Sequence, residues 1–281
     1  MKVAVITDSG ANLQKAYLEA HKNLFVVPLN IVIDGKNFKD QIEVSAKEVY
    51  EKLDTHQIST SLPDVKDLED IIEDVKKQGY EAILVINISS GLSGTFNAFR
   101  LVLNQVEGIE VVQYDTKTLG AGQGYIVEYA MELLEQNLSV AEILPKLDQM
   151  RFKDSIAMYT INTLKYLKRG GRIGKVEGTI GELLHIKPVV TVNDEGVYIT
   201  LSKAIGMQRS ILTMKDILVK KFAGQTIDLT VHFGDDEEKA SQLGSMLQKA
   251  LSVRTLTISP LTPVLGIHTG PQMFAFVARK I

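Results

Sequence analysis

The chain has 281 residues, 45% of them hydrophobic, with a formal net charge of −3 and no cysteine. A pI near 6.0 leaves no strong basic field, so nucleic acid is not an expected partner. The missing thiols exclude disulfides, thiolate zinc sites and a cysteine nucleophile, and point to a reducing cytoplasm. No apolar run reaches the roughly 18 to 20 residues of a membrane span, and the start Met1-Lys2-Val3-Ala4-Val5-Ile6-Thr7-Asp8 turns polar too soon for a signal peptide.

In chain order, residues 2–6 read as a buried strand ending in Thr7-Asp8-Ser9-Gly10, and Leu13, Ala16, Tyr17 and Ala20 have helical spacing. The run Leu24 to Ile33 reads as one strand closing at Asp34-Gly35. Helices are expected over 45–53 and 64–78, the second preceded by Pro63, capped by Asp64 and stopped by Gly79. Ala82 to Ile88 is the clearest buried strand, followed by a helix over 95–106, a strand over 109–114 and helices over 122–136 and 139–151. Strands alternating with helices imply right-handed βαβ units and a mostly parallel sheet, whose ligands sit beyond the carboxyl ends of the strands.

After residue 152 the pattern changes. Val189 to Val192 and Val197 to Leu201 flank Asn193-Asp194-Glu195-Gly196 as an antiparallel hairpin. A helix over 208–222, a strand over 226–233, a helix over 236–251 and a strand over 253–259 follow. The expected organisation is α/β in two domains, 1–152 with the mostly parallel sheet and flanking helices, and 153–281 with a mixed sheet.

The run Ser89-Ser90-Gly91-Leu92-Ser93-Gly94-Thr95 joins small residues and hydroxyls to a helix N-terminus, which suits an anion. An ordinary helix cap is the competing explanation. Ser59-Thr60-Ser61-Leu62-Pro63 reads as a hydroxyl cluster before a helix, again a site or a cap. Leu167-Lys168-Arg169-Gly170-Gly171-Arg172 is a tight loop exposing guanidinium groups, either for a carboxylate or phosphate or as a solvated basic turn. His268-Thr269, after the apolar pair Val264-Leu265, reads as a strand end with donors for an anion or a satisfied structural histidine. In His232-Phe233-Gly234-Asp235-Asp236 a helix cap by Asp235 outranks a metal site. Gly91-Leu92-Ser93-Gly94-Thr95 lacks the last glycine of a nucleophile elbow, Gly170 to Lys175 falls one residue short of a phosphate-binding loop, and the five histidines lack metal-ligand spacing.

Taken in order, these clusters resemble the DegV family of bacterial proteins. The matching runs are Thr7-Asp8-Ser9-Gly10, Thr60-Ser61-Leu62-Pro63, Ser89 to Thr95, Leu167 to Ile173, Lys187-Pro188 and His268-Thr269-Gly270-Pro271. The resemblance covers essentially the whole chain. It implies a two-domain α/β fold holding one long-chain fatty acid between the domains, with no cofactor and no catalysis of its own. It also implies a partner, the separate catalytic subunit of fatty acid kinase, which phosphorylates the bound carboxylate to an acyl phosphate in phospholipid metabolism. Transient membrane contact for lipid exchange is compatible with that role. By position, Thr60 and Ser93 resemble the family's carboxylate-binding hydroxyls, with Ser61, Gly94 and Thr95 beside them. His268 and Thr269 resemble the second-domain side of the pocket, and Arg172 an arginine near the ligand's entrance. Two departures stand out: Ile205 where many members carry Arg, and Gln272-Met273-Phe274 where a glycine is usual. Two other functions fit the same residues: a serine hydrolase on acyl esters, with Ser93 as nucleophile, His268 as base and Asp8 as orienter, or a lipid-sensing regulator.

Overall fold

Two apolar runs, β1 (Val3–Asp8) and β6 (Ala82–Asn87), are buried along their whole length, as strands covered on both faces must be. A computed structural model, which describes residues 2–176 and 186–281, places them side by side. With β2 (Leu24–Val27) and β7 (Glu110–Asp115) they form a parallel sheet of order β2-β1-β6-β7. Alternation sorts the side chains: Ala4, Ile6, Ile83 and Val85 pack with α3 (Val65–Lys77) and α4 (Thr95–Leu103). Val3, Val5, Leu84 and Ile86 pack with α5 (Ala121–Glu135) and α6 (Val140–Gln149).

The expected single strand over 24–33 is two. Pro28 has no backbone N–H to continue the ladder, and β3 (Asn30–Ile33) leaves to form an antiparallel sheet of order β4-β3-β5. Its other strands are β4 (Lys36–Lys39) and β5 (Ile58–Ser61), so the hydroxyls read as a site or a cap before a helix lie in a strand, with Thr60 opposite Ile31. The short helices α1 (Lys15–Ala20) and α2 (Ala46–Lys52) flank these strands in the chain.

The remaining chain builds a six-stranded mixed sheet of order β10-β9-β8-β13-β11-β12. The expected hairpin is β9 (Ile186–Val192) and β10 (Tyr198–Ile205). β11 (Thr226–Phe233) and β12 (Ser252–Pro260) run parallel. β8 (Ser155–Ile161) and the central β13 (Met273–Lys280) were not anticipated. One face is covered by α8 (Met207–Lys221) and α9 (Glu237–Gln248). Asp236 rather than Asp235 caps α9, accepting from the Lys239 N–H. The other face meets α5, ten of whose fifteen residues are buried because it lies between the two large sheets. Gly124 permits that packing: a Cβ there would lie 2.7 Å from the Ala11 carbonyl oxygen. Two short helices, α7 (Lys165–Arg169) and α10 (Pro263–Thr269), complete the region facing the small sheet.

Candidate functional site

The strand order turns between β1 and β6, where a parallel sheet opens a crevice at its carboxyl end. Asp8 closes that crevice at its base. Its carboxylate accepts from the Ile88 N–H at 2.9 Å, Asn87 Nδ2 at 3.1 Å, the Gly10 N–H at 3.1 Å and Gln123 Nε2 at 3.1 Å. Burial pushes its pKa up, and these donors pull the other way. The loop leaving β6 is then tied across the molecule: Ser89 Oγ donates to the Gly196 carbonyl at 2.7 Å, and Lys117 Nζ to Ser90 Oγ at 2.9 Å.

Ser93 stands two residues before α4, whose cap position is Gly94 with no side-chain capping bond. Its Oγ lies 2.8 Å from Thr95 Oγ1 and accepts from the Thr95 N–H at 3.3 Å. Ser93 and Gly94, at the N-terminal end of α4, line a cavity of about 350 Å³. Thr95 is fully buried behind Ser93 and does not reach the wall.

Across the cavity stand Thr60 and Ser61 on β5 and His268 in the last turn of α10. Thr60 Oγ1 lies 3.5 Å from His268 Nε2, the limit of a hydrogen bond. His268 Nδ1 is buried with no partner among the described residues. Burial first, then the positive charges of Arg172 and Arg169, pushes the His268 pKa down to about 3, so the imidazole is neutral at physiological pH. The exposed Ser61 Oγ donates to the Leu62 carbonyl at 3.5 Å. Arg172 borders the same space, with Nη1 donating to the Gly170 carbonyl at 2.6 Å and Nε to the Leu92 carbonyl at 3.3 Å.

Six of the eight residues expected at the site therefore meet at one cavity: Thr60, Ser61, Ser93, Gly94, Arg172 and His268. Thr269 does not: its buried hydroxyl faces the Gly266 and Gly270 carbonyls at 3.3 Å each. His268 sits in a helix rather than at a strand end, since Pro263 opens α10 and Gly270, at φ 77°, ends it. The apolar walls include Leu29, Ile88, Leu92, Leu119, Tyr198 and Leu265. Ile161, Leu164 and Ile186 pack in the adjoining core, Phe25 and Val27 against the α3–α4 layer, and Val189 under α8. Tyr198 had no sequence signal beyond its place after a hairpin turn. Its ring meets Tyr159 edge-on, centroids 5.4 Å apart.

The two departures fall elsewhere. Ile205 is 78% exposed at the end of β10, outside the cavity lining. Gln272 is exposed, while Met273 and Phe274 are buried at the start of β13. A Ser93–His268–Asp8 relay is not assembled: Ser93 Oγ is bonded to Thr95, His268 Nε2 faces Thr60, and the Asp8 carboxylate faces Gly10, Asn87, Ile88 and Gln123. Among the described residues no group of three or more His, Asp or Glu could hold a metal ion, and no helix is long and apolar enough to cross a membrane.

The family model described as "Uncharacterised protein, DegV family" matches residues 2–280. A DegV domain-containing protein of Clostridium acetobutylicum is 35% identical over 279 residues, covering 99% of both chains. Among solved structures, a fatty-acid-binding DegV family protein from Thermus thermophilus superposes with a TM-score of 0.92 at 28% identity over 100% of both chains. DegV from Bacillus subtilis, a fatty acid binding protein, gives 0.91 at 27% identity, again over 100% of both.

Proposed function

We propose that this chain, which belongs to the DegV family, binds one long-chain fatty acid in the cavity, between domains formed by residues 1–152 and 153–281. The observation that carries this reading is the wall itself. Hydroxyls of Thr60 and Ser93, a neutral His268 and the Arg172 guanidinium converge on a space otherwise lined by aliphatic and aromatic side chains.

The energetics agree. A sixteen-carbon acyl chain buries about 14 methylenes, worth roughly 11 kcal/mol. Association removes about 4 kcal/mol or more of that, leaving room for tight binding. The cavity volume of about 350 Å³ lies in the range of small-molecule sites. A carboxylate leaving water needs hydrogen-bond partners, and the wall offers them from β5, the β6–α4 loop and α10.

The chain then acts as a carrier without catalysis of its own. A separate kinase subunit transfers the γ-phosphoryl group of ATP to a carboxylate oxygen, giving an acyl phosphate and ADP. A cytoplasmic location and brief membrane contact for lipid exchange belong to the same reading.

Native mass spectrometry of freshly purified protein tests it. The expected result is a mass increment matching a long-chain fatty acid, or its appearance after incubation with palmitate or oleate. The bare chain mass under both conditions refutes the reading. A carrier yields acyl phosphate when combined with the host's kinase subunit and ATP; a lipid sensor does not.

A further inference from the structure

Asp40 carries a buried carboxylate that the carboxylate site does not use. It follows β4, is 1% exposed, and has no cation among its bonded partners in the described residues. Two of its bonds run to the segment that opens α10: the Val264 N–H donates to Oδ1 at 2.9 Å, and Thr262 Oγ1 donates to Oδ2; the side chains of Ser9 and Gln41 also hydrogen-bond the carboxylate. A helix needs acceptors for its first N–H groups. In α10 the first residue is Pro263, which has none, so Val264 supplies the first. Thr262, at the cap position, makes no side-chain capping bond of its own. Asp40 performs that cap from another part of the chain. Asn12 braces the same segment, its Oδ1 accepting from the Thr262 N–H and its Nδ2 donating to the Pro260 carbonyl at 3.2 Å.

α10 has seven residues, with the Asp40 bonds at one end and His268 in its last turn. Asp40 is also anchored to the sheet that carries Thr60: its N–H donates to the Leu29 carbonyl at 2.9 Å, just before β3, and β3 pairs with β5 through Ile31 and Thr60. One carboxylate therefore fixes α10 against the sheet that supplies the opposing hydroxyl. We propose that Asp40 is a positioning residue of the carboxylate site, capping α10 from the small sheet so that His268 stands against Thr60. This rests on the fatty-acid reading, and it adds a residue that touches neither the cavity nor the ligand.

The test uses the full chain with ¹⁵N-labelled histidine. Asp40→Ala removes both acceptors. Its His268 imidazole resonances should move in ligand-free protein, and palmitate affinity, read by displacement of a fluorescent fatty acid, should fall roughly five- to tenfold, the size of a lost cap. In a His268→Ala background the same substitution should change affinity less than twofold, because its effect passes through that imidazole. Asp40→Asn keeps one acceptor oxygen for Val264, so it should shift the same resonances less and retain most of the affinity. Wild-type His268 resonances in Asp40→Ala, or a full further loss in the His268→Ala background, overturn the proposal. Should Asp40→Ala not fold, unmoved resonances in Asp40→Asn overturn it and displaced ones support it. A wild-type chain that takes up no palmitate refutes the fatty-acid reading instead, and the His268 resonances still decide the role of Asp40.

Discussion

Gly170 offers a clean perturbation of the proposed carboxylate site. Its backbone, at φ −77° and ψ −8°, is ordinary right-handed helix, so alanine adds no conformational strain. Space is the whole difficulty. A Cβ at this position would lie 2.1 Å from His268 Nδ1 and 2.7 Å from its Cε1. Non-bonded heavy atoms settle near 3.5 Å, so the imidazole must retreat by about 1.4 Å. Its other nitrogen already stands at 3.5 Å from Thr60 Oγ1, where the hydrogen bond has no slack. Overpacking of this kind costs about 1–3 kcal/mol of stability. Removing one donor from a bound carboxylate costs about 1–3 kcal/mol of binding, roughly five- to hundredfold in affinity. Gly170→Ala should therefore lose palmitate affinity within that range, read by displacement of a fluorescent fatty acid with thermal unfolding alongside. Gly171→Asn is the control: that residue sits at φ 69°, which asparagine accepts, with no atom of the described residues within 4 Å of an added Cβ. It should bind as wild type does. A cooperatively folded Gly170→Ala protein with affinity within twofold of wild type would show that His268 is not held where the ligand needs it.

Ser93→Ala removes a cavity-wall hydroxyl and the acceptor for the Thr95 N–H, and should weaken fatty-acid binding by about 1–3 kcal/mol; unchanged affinity in titration calorimetry removes Ser93 from the ligand's partners. His232 is buried beside Ser259 and accepts from the Ala121 N–H at 3.1 Å, and burial pushes its pKa down to about 4. A histidine whose folded pKa lies below its unfolded value of about 6.5 loses its stabilising contribution as pH falls from that value towards the folded one. The stability advantage of wild type over His232→Gln in urea unfolding should thus shrink by roughly 2 kcal/mol between pH 7 and pH 5, and a constant difference refutes the buried neutral imidazole.

The parallel sheet was legible because strands buried on both faces write unbroken apolar runs, and the runs at β1 and β6 are such strands. The hairpin was legible from its Asn-Asp-Glu-Gly turn. β5 was not: four residues, three of them Ser or Thr, carry no hydrophobic signal, and only pairing with β3 makes them a strand. α10 deceived for the opposite reason. Its buried Val264-Leu265-Gly266-Ile267 stretch reads like a strand core, although Pro263 and Gly270 mark a helix start and stop. β8 and β13 were unread because their meaning is non-local: the middle of the mixed sheet exists only when segments more than a hundred residues apart align. Six of the eight candidate site residues border one cavity whichever element bears them, but sequence could not show that the Thr269 hydroxyl turns to the carbonyls of Gly266 and Gly270.

On the proposed reading, the site would hold an anion mainly with neutral donors, and its electrostatics are consistent with that arrangement. A protonated His268 would be the strongest partner for a carboxylate, yet burial and two neighbouring arginines keep it neutral. Arg172 is thereby the only cation on the cavity wall among the described residues, and one of its terminal nitrogens is already engaged by the Gly170 carbonyl. A carboxylate fully paired with buried cations would have its oxygen lone pairs tied up and its charge neutralised, which suits storage. On the proposed reading, a carboxylate held by Thr60, Ser93 and an uncharged imidazole would keep its negative charge on oxygen atoms that could still attack an incoming phosphoryl group. Gly170 admits the imidazole and any added Cβ displaces it, so a change of a single methyl group at Gly170 distinguishes a site built for a carboxylate from a polar cleft that merely contains these residues.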